Sequence, residues 1–196
     1  MAAAGMIPAQ RQDVAAMVAL LAAAFVDEPA LSWILPDPAD RQDRLTTFFA
    51  PIIKGTMRHG LALRSPGGEA VTLWRLPGRI HPGLFETLTG MPAFLRALGD
   101  GQKRAQALSA SLRAREPNFP YWYLQFAGVA PAFQGKGWGG KAVRAGLARA
   151  RAAGMPVYLE TSKAENFTFY RHLGFELIGE WDVPDGGPHV WAMLWR

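Results

Sequence analysis

The chain of 196 residues contains no cysteine. This absence excludes a disulfide scaffold, a thiolate nucleophile, and zinc or iron–sulfur sites with cysteine ligands. The four histidines show no H-x-x-x-H spacing, so we expect no metal. Long apolar runs are also absent, because the longest, Val14 to Val26, has 13 residues and a membrane span needs about 20. Asp13 stands where a signal peptide carries positive charge, and we therefore expect a cytoplasmic protein with no membrane partner.

Charged residues are few, at 19% of the chain, and the net charge is +5. The excess is local, since residues 132–151 carry five basic side chains and no acid. Proteins that bind nucleic acids usually spread basic residues along a groove or interleave them with exposed aromatic residues. Elsewhere in this chain the basic residues are mixed with acids. We therefore expect a local anion site and no nucleic-acid partner.

Hydrophobic spacing and turn residues predict one α/β domain over residues 1–196 with a mixed sheet. Asp13 is expected to cap the first helix, and Ser162 with Glu165 is expected to form a capping box for the last. A strand, helix and strand over residues 121–160 predict two parallel strands at the centre, with antiparallel strands on both sides. The predicted helices cover residues 13–26, 40–59, 138–153 and 162–172, with a helical insertion at about 80–116 interrupted at 90–92 and 99–101; the predicted strands cover 61–64, 70–76, 121–129, 157–160, 175–183 and 189–195.

A glycine-rich loop, Gln134-Gly135-Lys136-Gly137-Trp138-Gly139-Gly140, lies between a predicted buried strand and a predicted helix. In that position several backbone N–H groups can point at one place beside the positive end of a helix, which suits a phosphate. The alternative is a flexible surface loop.

Two nucleotide motifs compete for this loop. The Walker A pattern fails, because its spacing requires glycine where Ala130 stands and a Ser or Thr after the Gly-Lys pair. The dinucleotide fingerprint G-x-G-x-x-G does match at Gly135, Gly137 and Gly140, with Glu160 about 20 residues on. However, residues 131–134 separate the first glycine from the strand, and too few parallel strands follow. An NAD-dependent oxidoreductase therefore remains only the weaker alternative.

Val129-Ala130-Pro131 followed by the glycine loop resembles the acetyl-CoA loop of the GCN5-related N-acetyltransferase (GNAT) superfamily, whose pattern is Q/R-x-x-G-x-G/A. Within that superfamily, the segments 122–124, 159–162, 169–170 and 173–175 and the residue Asn166 resemble the puromycin N-acetyltransferase group. The resemblance is strong over about residues 121–183 and weaker over 14–30. It implies central parallel strands that splay apart, helices on both faces of the sheet, and direct transfer of acetyl from coenzyme A to an amine.

The resemblance also implies roles for individual residues. The loop residues Gln134 to Gly140 would cradle the pyrophosphate, the N–H of Val129 would stabilise the thioester oxygen, and Asn166 would bind the pantetheine arm. Tyr170 is the candidate acid for the departing thiolate, with a core aromatic as the alternative reading. Glu160 is the candidate base, with substrate positioning as an equal alternative, and Glu28 is the reserve candidate.

The acceptor pocket is the least determined part of the site. Phe25, Glu28, Trp33 and Trp74 are candidate lining residues, because aromatic rings and a carboxylate can bind a cationic amine. The expected acceptor is a small-molecule amine, of an aminonucleoside or antibiotic-like kind, and the chain is expected to be a monomer or a homodimer. A non-catalytic acyl-CoA sensor with the same fold is the alternative function.

Overall fold

The computed structural model describes residues 5–196. Helices and strands follow one another along the chain in the predicted order, with a short first strand and a short second helix added. The elements are β1 (Ile7–Pro8), α1 (Val14–Ala24), α2 (Pro29–Ile34), α3 (Arg41–His59), β2 (Gly60–Arg64), β3 (Ala70–Arg75), α4 (Leu84–Leu98), α5 (Gln102–Arg113), β4 (Trp122–Val129), α6 (Trp138–Ala152), β5 (Val157–Thr161), α7 (Ala164–His172), β6 (Glu176–Asp182) and β7 (His189–Trp195).

The strands form one seven-stranded sheet in the order β1-β2-β3-β4-β5-β7-β6. β4 and β5 are parallel, and all other neighbours are antiparallel. The prediction of a mixed α/β sheet with a parallel centre is therefore confirmed. β4 and β5 pair only at Trp122–Val157 and Tyr123–Tyr158, and beyond these residues the two strands diverge.

Helices cover both faces of the sheet, as the alternation along β3 shows. Ala70 and Trp74 pack in a core with α6, whereas Val71 and Leu73 pack in a second core with α1 and α3. A third cluster, around Tyr121 and Tyr158, joins β4 to β5 and β7 beneath side chains of α2 and α5. We call this third cluster the tyrosine cluster.

Three local predictions need correction. Asp13 precedes α1 but does not cap it, because its carboxylate accepts the N–H of Gln10 and pairs with Arg64 at 2.7 Å. The capping box of α7 does not form, since the helix begins after Lys163 and Ser162 instead donates to Glu28. The helix break expected at Pro92 is also wrong. α4 runs through this proline, and its inner face packs through contacts such as Phe94 on Phe48, with ring centroids 5.7 Å apart.

Among residues 5–196, none of the helices combines the length and the apolar character that a membrane span requires.

Candidate active site

The divergence of β4 from β5 opens a gap at the centre of the sheet. Ala130 N–H donates to the Glu69 carbonyl at 2.9 Å, so the alternation of an antiparallel ladder turns the N–H of Val129 away from β3. That N–H points toward β5, at a level where β5 is no longer paired with β4. The end of β4 therefore presents a backbone donor to the gap.

The glycine loop lies directly after this donor and forms the start of α6. Gly135 and Gly137 have φ angles of +72° and +80°, a region that favours glycine. Apart from the two adjoining residues, the described part of the chain places no atom within 4 Å of a Cβ built on either glycine. Gly137 is the N-cap of α6, and none of the side chains in residues 5–196 caps this helix end. The first N–H groups of α6 are thus available to an anion beside the positive end of the helix dipole.

Side chains hold the loop in shape. Gln134 Nε2 donates to the Val129 carbonyl at 3.2 Å, which ties the loop to the end of β4. Lys136 Nζ donates to the Ala132 carbonyl at 2.8 Å, and Lys141 Nζ lies 4.6 Å from the ring centroid of Trp138. Both ammonium groups therefore lie close to the loop and make its surroundings positive.

α7 meets the loop and β4 at one point. A Cβ on Gly139 would lie 3.5 Å from the ring of Phe169 and 3.6 Å from the side chain of Val129. Asn166 lies on the same helix, half-buried, and Tyr170 follows it by one turn. The structure thus brings together three segments that were predicted to form the site: the end of β4, the glycine loop and α7.

Tyr170 is buried against Phe169 and Phe175, in the core that also contains α6. Its hydroxyl makes no hydrogen bond to another described residue, and burial alone raises its pKa above the ordinary value. A tyrosine with these surroundings remains protonated at neutral pH, which leaves the hydroxyl able to donate. The structure fits both readings of Tyr170, a proton donor and a core aromatic.

Glu160 lies on β5 opposite Ala192 of β7, and its side chain faces the tyrosine cluster. Burial raises its pKa from 4.5 to about 7, while the hydroxyls of Tyr123 and Tyr158 oppose this shift and the charge of Glu116 adds to it. Glu160 Oε2 and the Tyr158 hydroxyl are enclosed, and neither has a hydrogen-bond partner of ordinary geometry among the described residues. A carboxylate that titrates near neutral pH beside unpartnered polar atoms can accept a proton during a reaction.

The surroundings of Glu160 were not predicted from the sequence. Tyr123 lies on the neighbouring strand β4, and Tyr121 lies just before that strand. The ring of Tyr158 is 5.2 Å from that of Tyr121 and stacks on that of Tyr123 at 6.1 Å. Burial raises the pKa of Tyr121, and the carboxylate of Glu116 raises it further. The same carboxylate contacts His81 Nε2 at 2.9 Å. Alternation along each strand shows which residues share a face, but only the register of β4 with β5 brings these rings together.

Glu28 caps the N-terminus of α2, and both of its carboxylate oxygens accept hydrogen bonds. One carboxylate oxygen accepts the N–H of Leu31 at 2.9 Å, and the other accepts the hydroxyl of Ser162, two residues after Glu160. Glu28 thus lies beside the end of β5, and both of its oxygens are occupied. It is more suited to fixing the position of α2 than to accepting a proton.

The aromatic residues proposed to line the acceptor pocket are distributed differently from our expectation. Trp33 of α2 borders the tyrosine cluster, on the same side of the sheet as Glu160. The ring of Phe25 packs between Phe49 and Phe126, at 5.6 and 5.5 Å, and is half-buried. The expectation for Trp74 is wrong, because its side chain is fully buried on the opposite face, against α6.

The described residues contain no group of three or more His, Asp or Glu side chains that could bind a metal ion.

Comparison with known proteins agrees with this geometry. A family model described as "Acetyltransferase (GNAT) family" matches residues 85–175. An uncharacterised N-acetyltransferase of Schizosaccharomyces pombe is 26% identical over 177 residues, which cover 85% of this chain and 72% of the relative.

The fold is shared with solved acetyltransferases. A solved protein from Corynebacterium glutamicum, described as "histone acetyltransferase HPA2 and related acetyltransferase", superposes on this chain with a TM-score of 0.73. The two are 27% identical, and the superposition covers 97% of this chain and 94% of that one. Arylalkylamine N-acetyltransferase 2 from Aedes aegypti gives a TM-score of 0.65 at 16% identity, over 96% of both chains. The polyamine N-acetyltransferase of Drosophila melanogaster gives a TM-score of 0.61 at 16% identity, over 97% of this chain and 98% of that one. Together these findings identify the chain as an N-acetyltransferase with the GNAT fold.

Proposed function

We propose that this chain transfers acetyl from acetyl-CoA directly to the amine of a small molecule. The observation that carries the proposal is the gap between β4 and β5. At this gap lie a backbone donor that is turned away from β3, Val129 N–H, and a carboxylate with a pKa of about 7, Glu160. We also propose that residues 1–196 act as one cytoplasmic domain.

The glycine loop suits the pyrophosphate of acetyl-CoA. The open space beside Gly135 and Gly137 allows an anion to approach the backbone, and Lys136 and Lys141 add positive charge. Asn166 on α7 has amide groups that can pair with those of the pantetheine arm. When bound, acetyl-CoA supplies a thioester carbon that an amine can attack. No metal is required for this chemistry.

The residues at the gap divide the proton transfers between them. An amine that arrives as an ammonium ion has no lone pair, and Glu160 is the group that removes its proton, directly or through water. Val129 N–H donates to the oxygen that gains negative charge during the attack. Tyr170 remains protonated at neutral pH and gives its proton to the sulfur as the C–S bond breaks, and the second proton of the attacking nitrogen then returns to the tyrosine oxygen.

The acceptor side favours a cationic amine. Glu160 and Glu116 lie among the rings of Tyr121, Tyr123 and Tyr158, and aromatic faces with carboxylates attract ammonium groups. Leu108 and Leu112 of α5 pack beside these rings, so the helical segment at about 80–116 contributes to the acceptor side. Two structural neighbours are named for arylalkylamine and polyamine substrates. We propose an acceptor of this general kind, with an aminonucleoside or antibiotic-like amine included because of the puromycin-type resemblance.

The test is an assay of thiol release from acetyl-CoA with a panel of amines. The chain has no cysteine, so the enzyme contributes no thiol to the signal. Release that depends on one class of amine, with the acetylated product identified by mass, would support the proposal. Acetyl-CoA binding without release for any amine would instead indicate a non-catalytic acyl-CoA sensor.

A further inference from the structure

The outer face of α4 is apolar and exposed. Five large side chains on this helix retain 41% to 78% of their surface: Leu84, Phe85, Leu88, Met91 and Leu95. The other exposed residues within α4 are Thr89, Pro92 and Arg96, so one charge accompanies this face. Monomeric proteins rarely expose a contiguous apolar patch of this kind without a function for it. We call these five residues the α4 stripe.

α4 is fixed to the rest of the molecule at both ends. Near its start, Glu86 accepts two hydrogen bonds from the buried guanidinium of Arg75 on β3, at 2.5 and 3.1 Å. At its end, Arg44 of α3 donates to the carbonyls of Ala97 and Leu98, at 2.8 and 2.5 Å. The stripe is therefore a preformed surface, and the helix would have to break these bonds in order to turn it inward.

The spacing of the stripe is that of a helix–helix seam. Leu84, Leu88, Met91 and Leu95 are separated by four, three and four residues, which matches the apolar positions of a heptad repeat. A second helix laid antiparallel along this seam can place Leu84 opposite Leu95 and Leu88 opposite Met91. This pairing repeats under a two-fold rotation, as a symmetric dimer requires.

We propose that the α4 stripe is the interface of a homodimer, in which α4 of one copy packs antiparallel on α4 of a second copy. The stripe exposes roughly 600 Å² per chain, taking about 200 Å² as the full surface of a side chain of this size. A standard interface buries about 800 Å² per partner, and the polar rim supplies the remainder. Because the five residues of the α4 stripe are uncharged, they offer a strongly charged partner no favourable ion pairs. An identical apolar surface, in contrast, can pack against the stripe along its whole length. The proposal is independent of the proposed catalysis.

The test is the mass of the chain in solution, measured by sedimentation over a range of concentrations. The wild-type chain, of 21.4 kDa, should sediment as a dimer, and Leu88→Glu at the centre of the seam should give a monomer with an unchanged circular dichroism spectrum. Ile178→Glu is the matched control, because Ile178 is 46% exposed on β6, away from the stripe, and this variant should remain dimeric. A wild-type monomer, or a dimer that persists in Leu88→Glu, would overturn the proposal.

Cross-linking tests the antiparallel arrangement. Since the chain has no cysteine of its own, a mixture of Leu84→Cys and Leu95→Cys chains should form a disulfide-linked dimer under mild oxidation, whereas Leu84→Cys alone, which a parallel pairing would link to itself, should not. A wild-type chain that is monomeric but binds anionic vesicles through Leu88 would show a membrane-binding face, and that result would also refute the dimer.

Discussion

Replacing Glu160 with glutamine should stabilise the folded protein at alkaline pH. The folded-state pKa of about 7 lies above the ordinary value of 4.5, so between these pH values the folded chain holds a proton that the unfolded chain has lost. The contribution of the neutral Glu160 carboxyl to the free energy of unfolding is fully present below pH 4.5 and is lost as the pH rises through 7. At 1.36 kcal/mol per pKa unit, the ionised carboxylate costs up to about 3 kcal/mol above pH 7.

Urea denaturation of the wild type and of Glu160→Gln at several pH values measures this cost. The advantage of the variant should grow by roughly 2 to 3 kcal/mol between pH 5 and pH 8, because the neutral amide cannot ionise. Glu165→Gln is the matched control, since Glu165 is exposed on α7, and it should show no such growth. A Glu160→Gln variant that gains nothing over this range would refute the conclusion that burial raises the pKa of this carboxyl.

The remaining predictions concern the proton donor, the loop and the core. Tyr170→Phe should lower turnover by about 10²- to 10⁴-fold with acetyl-CoA affinity and thermal stability nearly unchanged, and unchanged turnover would make Tyr170 a core residue. Gly137→Val should weaken acetyl-CoA binding in calorimetry. Gly154→Val is the control, because Gly154 has a φ of +64° and equally open surroundings, and it should leave the affinity intact. Equal affinities of the two variants would contradict binding of the pyrophosphate by the glycine loop. Gly146→Ala should lower the free energy of unfolding by about 1 to 3 kcal/mol, because its Cβ would overlap the indole of Trp74, and a stability equal to the wild type would disprove this packing.

Much of the fold follows from local patterns. Apolar runs bounded by glycine and proline predict six of the seven strands within one or two residues, because buried strands and turn residues leave a strong local signal. β1 has two residues and α2 has six, and elements this short lack a periodic pattern. The cap expected at Ser162 failed because Glu28, 134 residues earlier, competes for its hydroxyl.

The candidate site was predictable only in part. The loop from Gln134 to Gly140 carries its own conformational signal, since its glycines adopt positive φ angles. The environment of Glu160 depends on the register of β4 and on which face of the sheet each residue occupies, and no local pattern contains either fact. The same uncertainty explains the wrong expectation for Trp74, which lies on the face of β3 covered by α6.

The pH dependence of kcat/KM, compared between the wild type and Glu160→Gln, tests the central claim most directly. With an amine whose own titration is recorded separately, the wild type should lose activity tenfold per pH unit below about 7, where Glu160 becomes protonated. The glutamine variant should lack this limb and turn over slowly at every pH, while it binds acetyl-CoA like the wild type. A variant with wild-type turnover and the same acid limb would contradict the assignment of Glu160 as the base.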